Sequence, residues 1–65
     1  MKGATRLAMR VVIADDEPLA RERLRALLAL RPDVEIVAEA VDGQHALHAC
    51  AEHRPDLVLL DIAMP

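Results

Sequence analysis

Hydrophobic positions in this chain follow two rhythms. Val11-Val12-Ile13-Ala14 and Leu57-Val58-Leu59-Leu60 are unbroken, partly β-branched aliphatic runs, the form strands take when both faces of a parallel sheet are covered. Between them Ala20, Leu24, Leu27 and Leu28 recur at i, i+4, i+7 and i+8, while Arg21, Glu22, Arg23 and Arg25 occupy the other faces. That stripe predicts an amphipathic helix of about three turns. Pro18 sits near its first turn, where a missing N–H costs nothing; Arg31 is placed to favour its negative end, and Pro32 stops it. From Val34 to Ala40, Val34, Ile36 and Ala38 alternate with Glu35, Val37 and Glu39, which reads as a strand with one wetter face at a sheet edge. Asp42-Gly43 turns the chain into a second helix over about Gln44 to His53, with Asp42 as a candidate N-cap and Ala46, Leu47 and Cys50 facing inward. His53 and Arg54 suit its C-terminus, Pro55 ends it, and the third strand covers Leu57 to Ile62.

The elements therefore run β-α-β-α-β in an α/β fold without repeats, low-complexity tracts or an interdomain linker. Crossovers between parallel strands are right-handed in about 98% of cases. With strand one between strands two and three, the two crossovers run in opposite directions, put their helices on opposite faces and give a parallel sheet of order 2-1-3. Open sheets of this kind take ligands beyond the carboxyl ends of their strands, where the order reverses. Both aliphatic runs end there in acid, Asp15 and Asp16 after the first and Asp61 after the third. Carboxylates brought that close repel by several kcal/mol, so the cluster calls for a bound cation that prefers hard oxygen ligands. A divalent-metal site is the expectation.

Composition narrows the rest. A chain of 65 residues makes at most one small domain, and at this size only about 60% of the surface is buried on folding. The residues are 54% hydrophobic without a single Phe, Tyr or Trp, so the core must be built from Leu, Val, Ile and Ala, without aromatic contact area. Eight Lys and Arg against eleven Asp and Glu give a net charge of -3, the wrong sign for a phosphate-backbone footprint, so direct nucleic-acid binding is not expected. Cys50 is the one cysteine and has no partner for an internal disulfide, which suits a reducing compartment and a cytoplasmic location. No apolar stretch approaches the roughly 20 residues of a membrane span, and the first residues lack the apolar core of a signal peptide. Met1 to Ala8 read as a flexible extension, or an over-called start, ahead of Met9.

The residues in these positions resemble a known family. Val11-Val12-Ile13-Ala14-Asp15-Asp16-Glu17-Pro18, Asp42-Gly43 with Ala46-Leu47, and Pro55-Asp56-Leu57-Val58-Leu59-Leu60-Asp61-Ile62-Ala63-Met64-Pro65 look like the receiver domain of bacterial two-component response regulators, a doubly wound, flavodoxin-like fold. The likeness covers nearly all of residues 9–65, as the N-terminal half of such a domain. Ala14 to Leu24 are most similar to regulators with a LytTR-type DNA-binding output, and no such output is present in these residues. The resemblance implies that Asp61 is the phosphoacceptor, taking a phosphoryl group from a histidine of a sensor kinase to form an aspartyl phosphate. It also implies a Mg²⁺ held directly by Asp16 and Asp61, with Asp15 helping through a water and the main-chain carbonyl of Ala63 adding an oxygen. Such a domain is a signalling phosphoacceptor rather than an enzyme, and its usual consequence is transcription regulation.

Receivers of this family are about twice as long, and their later half carries a Ser or Thr and a Lys that contact the phosphoryl oxygens. Neither can be assigned here, because the only lysine is Lys2. The expectation is therefore a fragment with impaired phosphoryl transfer, unstable alone or self-associating through an exposed third strand. The alternative function is a non-catalytic fragment that docks to a kinase or to another receiver through its first helix. A Mg²⁺-dependent phosphohydrolase fits less well, since nothing forms a pocket for an external substrate. His45, His48 and His53 with Cys50 contain the i, i+3 spacing of zinc ligands, but they point around one short helix, and a solvated face with one small buried thiol is the simpler account. Arg21, Arg23 and Arg25 read as a solvated face ahead of a kinase-docking surface, and Glu17 is left as a residue that could cap or tune the acid site.

Overall fold

A computed structural model describes residues 8–61, so residues 1–7 of the expected N-terminal extension lie outside the described residues. Five elements follow in the order β1 (Met9–Asp15), α1 (Pro18–Leu28), β2 (Val34–Ala40), α2 (Gly43–His53) and β3 (Leu57–Asp61). All pairings are parallel, and the sheet order is β2-β1-β3, the expected arrangement with strand one in the middle. The expected end of the third strand at Ile62 lies outside the described residues.

The core is concentrated on β1. Val11, Val12, Ile13 and Ala14 are fully or almost fully buried, with Ala40 of β2 and Ala46 and Ala49 of α2 around them. Pleating puts Val11, Ile13 and Asp15 on one face and Val12 and Ala14 on the other. The register aligns Leu57, Leu59 and Asp61 of β3 with the first set, and Val58 and Leu60 with the second. Helix α2 covers the second face, where Ala14, Ala40 and Ala46 meet. Helix α1 packs on β1 and β2, and Arg21 and Arg25 on it reach Glu39 of β2.

The alternation expected of β2 is interrupted. Val11 pairs with Ile36 but Val12 with Ala38, so Val37 is an extra residue in a bulge. The bulge reverses the phase of the strand. Val34 and Ile36 share a face with Glu39, while Ala38 joins Ala40 against α2. A strict period of two would have set Ala38 beside Ile36 instead.

Both helices correct the sequence expectation in detail. In α1, Pro18 is the first helical residue and Glu17 is the N-cap through its backbone, without a side-chain cap. Leu24 and Leu28 are half-buried, but Leu27 is 63% exposed. The cause is the narrow contact of one short helix on two strands, which leaves no neighbour for the flank of the stripe. Arg31 serves the helix terminus through its main-chain N–H, which donates to the Leu28 carbonyl at 2.9 Å, while its side chain turns to Asp33. Its Nε and Nη2 donate to Asp33 Oδ1 and Oδ2 at 3.1 and 2.9 Å, and Asp33 in turn accepts the Met9 N–H through its carbonyl oxygen at 2.7 Å. The hydrogen bond from Arg31 is the first cause holding the Asp33 carboxyl below its ordinary value. Its stabilising effect exists above the ordinary carboxylate pKa and fades as pH falls through the lowered one, and in full solvent it is small.

In α2 the inward residues are Ala46 and Ala49, with Cys50 half-buried, whereas Leu47 is 74% exposed and not in the core. Residues 46, 49 and 50 form the i, i+3, i+4 stripe that faces the sheet, and 47 falls off it. The N-cap expectation holds, since Asp42 Oδ1 accepts the His45 N–H at 2.7 Å. The helix starts one residue earlier than expected, at Gly43. Arg54 closes it in the left-handed region with φ 47, and its N–H donates to the Cys50 carbonyl at 2.8 Å. Asp42→Ala is expected to cost about 1 kcal/mol through the lost cap, read as a lower melting temperature by circular dichroism. An unchanged melt would show that α2 contributes little to the cooperative unit.

Candidate functional site

β1 and β3 run side by side, and their last residues, Asp15 and Asp61, are register partners. Neighbouring strands lie about 4.8 Å apart, so two acidic residues share the carboxyl edge of the sheet. Asp16 follows at once and is exposed, as is Asp61, whereas Asp15 is only 5% exposed. Asp61, Asp15 and Asp16 are thus gathered at the point where the sheet order reverses. Ala63, whose carbonyl was expected to complete the set, lies outside the described residues.

The turn that carries the acid pair is tied down from two directions. Asp15 Oδ1 accepts the Glu17 N–H at 2.9 Å, an Asx turn that carries the chain from strand to helix. The Asp15 carbonyl oxygen accepts Arg21 Nη1 at 2.8 Å. Arg21 was read as part of a solvated face, and the structure corrects this. Its side chain is 19% exposed, and its Nε lies 3.9 Å from Glu39 Oε1. Arg25 Nη1 lies 3.5 Å from the other oxygen of Glu39. The missed signal was position: Arg21 is the fourth residue of α1, and helical side chains lean toward the N-terminus, here toward the strand end.

A second arginine anchors β3. Arg10 donates through Nη1 to the carbonyls of His53 and Arg54 at 2.6 and 3.2 Å, filling acceptors that the end of α2 leaves open. Its main-chain N–H donates to Asp56 Oδ2, and its carbonyl accepts the Asp56 N–H, both at 2.8 Å. Strand β3 therefore enters the sheet in a register that delivers Asp61 opposite Asp15.

The donor set suits a hard cation. It is all oxygen, and Asp15 is a buried carboxylate whose Oδ2 has no hydrogen bond among the described residues. A buried carboxylate oxygen without a partner is costly and is relieved by a bound positive charge. Among the described residues no three acidic, histidine or cysteine side chains form a group that could hold a metal ion. An open set of few protein oxygens is the form Mg²⁺ takes, because it keeps several waters. The histidines do other work. His45 Nδ1 accepts the Val41 N–H at 3.3 Å, and His53 Nε2 faces Glu52 at 3.9 Å.

Comparison with known proteins agrees with this fold. The family model for the response regulator receiver domain matches residues 11–65. An uncharacterized response regulatory protein of Vibrio cholerae is 60% identical over 55 residues, covering 83% of this chain and 21% of its own length. The transcriptional regulatory protein BtsR of Salmonella typhi is 51% identical over 57 residues, covering 88% of this chain and 24% of that protein. The crystal structure of the response regulator domain of Thermotoga maritima CheB superposes with a TM-score of 0.84 at 34% identity, over 89% of this chain and 43% of that one. The chain therefore spans a quarter or less of these two curated relatives. Relatives named as transcriptional regulators stand beside one named as a protein-glutamate methylesterase, so the likeness is to receivers generally and not specifically to LytTR-type regulators. Among the described residues no helix is long and apolar enough to cross a membrane.

Proposed function

The chain belongs to the response regulator receiver domain family, and on that premise we propose that it accepts a phosphoryl group on Asp61 from a histidine of a sensor kinase in the cytoplasm. The observation that carries this reading is the register pairing of Asp61 with Asp15 at the carboxyl edge of the sheet. An exposed carboxylate at a strand end is open to an incoming protein-bound phosphoryl group. A carboxylate oxygen of Asp61 attacks phosphorus, the bond from phosphorus to the kinase histidine nitrogen breaks, and that nitrogen leaves with the electron pair. The product on this chain is an acyl phosphate. Asp15, Asp16 and Asp61, with the Ala63 carbonyl, are the groups that would hold Mg²⁺. Bound there, the cation supplies screening between the anionic nucleophile and the anionic phosphoryl group.

The chain's own residues set the approach. Asp15 is locked by the Glu17 amide and Arg21, so the acid pair does not collapse into the turn. Such a module moves a phosphoryl group onto itself and has no external substrate. Transcription regulation as its output is supported by the name of the BtsR relative, and a LytTR-type output rests on Ala14 to Leu24 alone. Incubating the purified chain with Mg²⁺ and a small-molecule phosphoryl donor tests the proposal. The expected result is a mass gain of one phosphoryl group that hydroxylamine removes, and no gain when Mg²⁺ is chelated. A chain that is folded by circular dichroism but never gains the group contradicts it.

A second reading is favoured by the edge of β3, where Leu57 and Leu60 are exposed. Exposed aliphatic side chains on an edge strand support pairing with a second copy or with another receiver, independently of phosphorylation.

A further inference from the structure

We propose that Arg21 is a positioning residue for the acid site, setting the direction in which Asp16 leaves the end of β1. The inference rests on reading Asp15, Asp16 and Asp61 as a cation and phosphoryl site. Asp16 is exposed and its side chain makes no hydrogen bond among the described residues. Its orientation is therefore inherited from the peptide units on either side. The one before it is held by Arg21 Nη1 on the Asp15 carbonyl oxygen at 2.8 Å. The one after it is held by Asp15 Oδ1 on the Glu17 N–H at 2.9 Å. Together these bonds bracket Asp16 between the strand and the first turn of α1.

A guanidinium beside a cation site would ordinarily oppose the cation. Glu39 offsets that charge, with Oε1 at 3.9 Å from Arg21 Nε and Oε2 at 3.5 Å from Arg25 Nη1. Arg21 thus works as a fork, one arm on the main chain of Asp15 and the other toward β2. Lysine has no such fork, only a single ammonium. The bulge at Val37 makes the arrangement available, because it places Glu39 on the α1 face of the sheet.

The test follows Mg²⁺ binding by amide chemical shifts in the full chain, with hydrogen exchange at the Glu17 amide as a second readout. Arg21→Gln should weaken Mg²⁺ on the order of tenfold, as loss of a supporting contact behind a metal ligand does. It should also speed Glu17 exchange by about tenfold, the effect of one lost hydrogen bond. Arg25→Gln removes a second partner of Glu39 but leaves the Asp15 contact, so both readouts should stay near wild type. Arg21→Lys should recover part of the loss, and it serves as the test if Arg21→Gln does not fold. The proposal is overturned if the folded Arg21 variants match Arg25→Gln in both readouts. If the wild-type chain itself binds no Mg²⁺, the reading of the acid site fails. In that case the Glu17 exchange rate decides the role of Arg21 alone, and an unchanged rate overturns it.

Discussion

Asp61→Asn is expected to abolish phosphorylation of the chain while leaving it folded. The carboxamide keeps the size of the side chain and its place opposite Asp15 at the end of β3, but its oxygen is a poor nucleophile and cannot form an acyl phosphate. The loss should be complete by intact mass, since no neighbouring carboxylate has the same exposure and strand-end position on β3. Asp16→Asn should behave differently, lowering the rate through weaker cation binding while the label still falls on Asp61. The variant carries its own fold control. Asp61 and Asp15 are like charges on adjacent strands, and removing one relieves their repulsion, so without Mg²⁺ and at low salt Asp61→Asn should melt slightly higher than wild type. Label that survives Asp61→Asn and maps to Asp16 would sink the assignment of the nucleophile.

Ile13→Ala is expected to unfold most of the chain. Ile13 is fully buried at the centre of the middle strand, paired with Glu39 on one side and Leu59 on the other. Truncations of this kind cost about 2–5 kcal/mol, through lost transfer energy and the cavity left behind. Net stabilities of about 0.05–0.15 kcal/mol per residue put a chain of 65 residues within reach of a single such loss. The core also has little in reserve, because aromatic side chains are absent and the buried aliphatics lie chiefly on β1. Leu47→Ala is the matched comparison. It removes the same number of carbons, but Leu47 is mostly exposed, and such a change should stay within about 0.5 kcal/mol. Far-ultraviolet circular dichroism with urea titration reads both. Equal midpoints for the two variants would mean that the burial seen around β1 does not carry the stability.

Much of this was legible because a buried parallel strand leaves a plain mark. Four aliphatic residues in a row with an acid after them located β1 and β3, and Pro18, Asp42 and Pro55 marked helix limits through their backbone chemistry. The inward faces of the helices were less legible. Leu27 and Leu47 fit an apolar stripe by spacing, yet a helix resting on two narrow strands covers only the middle of its stripe. The bulge at Val37 had no mark at all, since Val37 is as good a strand residue in the ladder as out of it.

The acid site divides in the same way. Sequence alone determined the parts: which residues end the strands, that all carry carboxylates, and that parallel strands joined by right-handed crossovers bring their carboxyl ends to one edge. These follow from local pattern and chirality, which act over a few residues at a time. Only the tertiary structure decided that β1 lies between β2 and β3, that Asp15 is the buried member and Asp61 its register partner, and that Arg21 and Glu39 hold the end of β1 while Arg10 holds the entry of β3. Those contacts join α1 to β1 and β2, and β1 to the end of α2. They depend on register and side-chain reach across elements, quantities that no periodicity along the chain encodes.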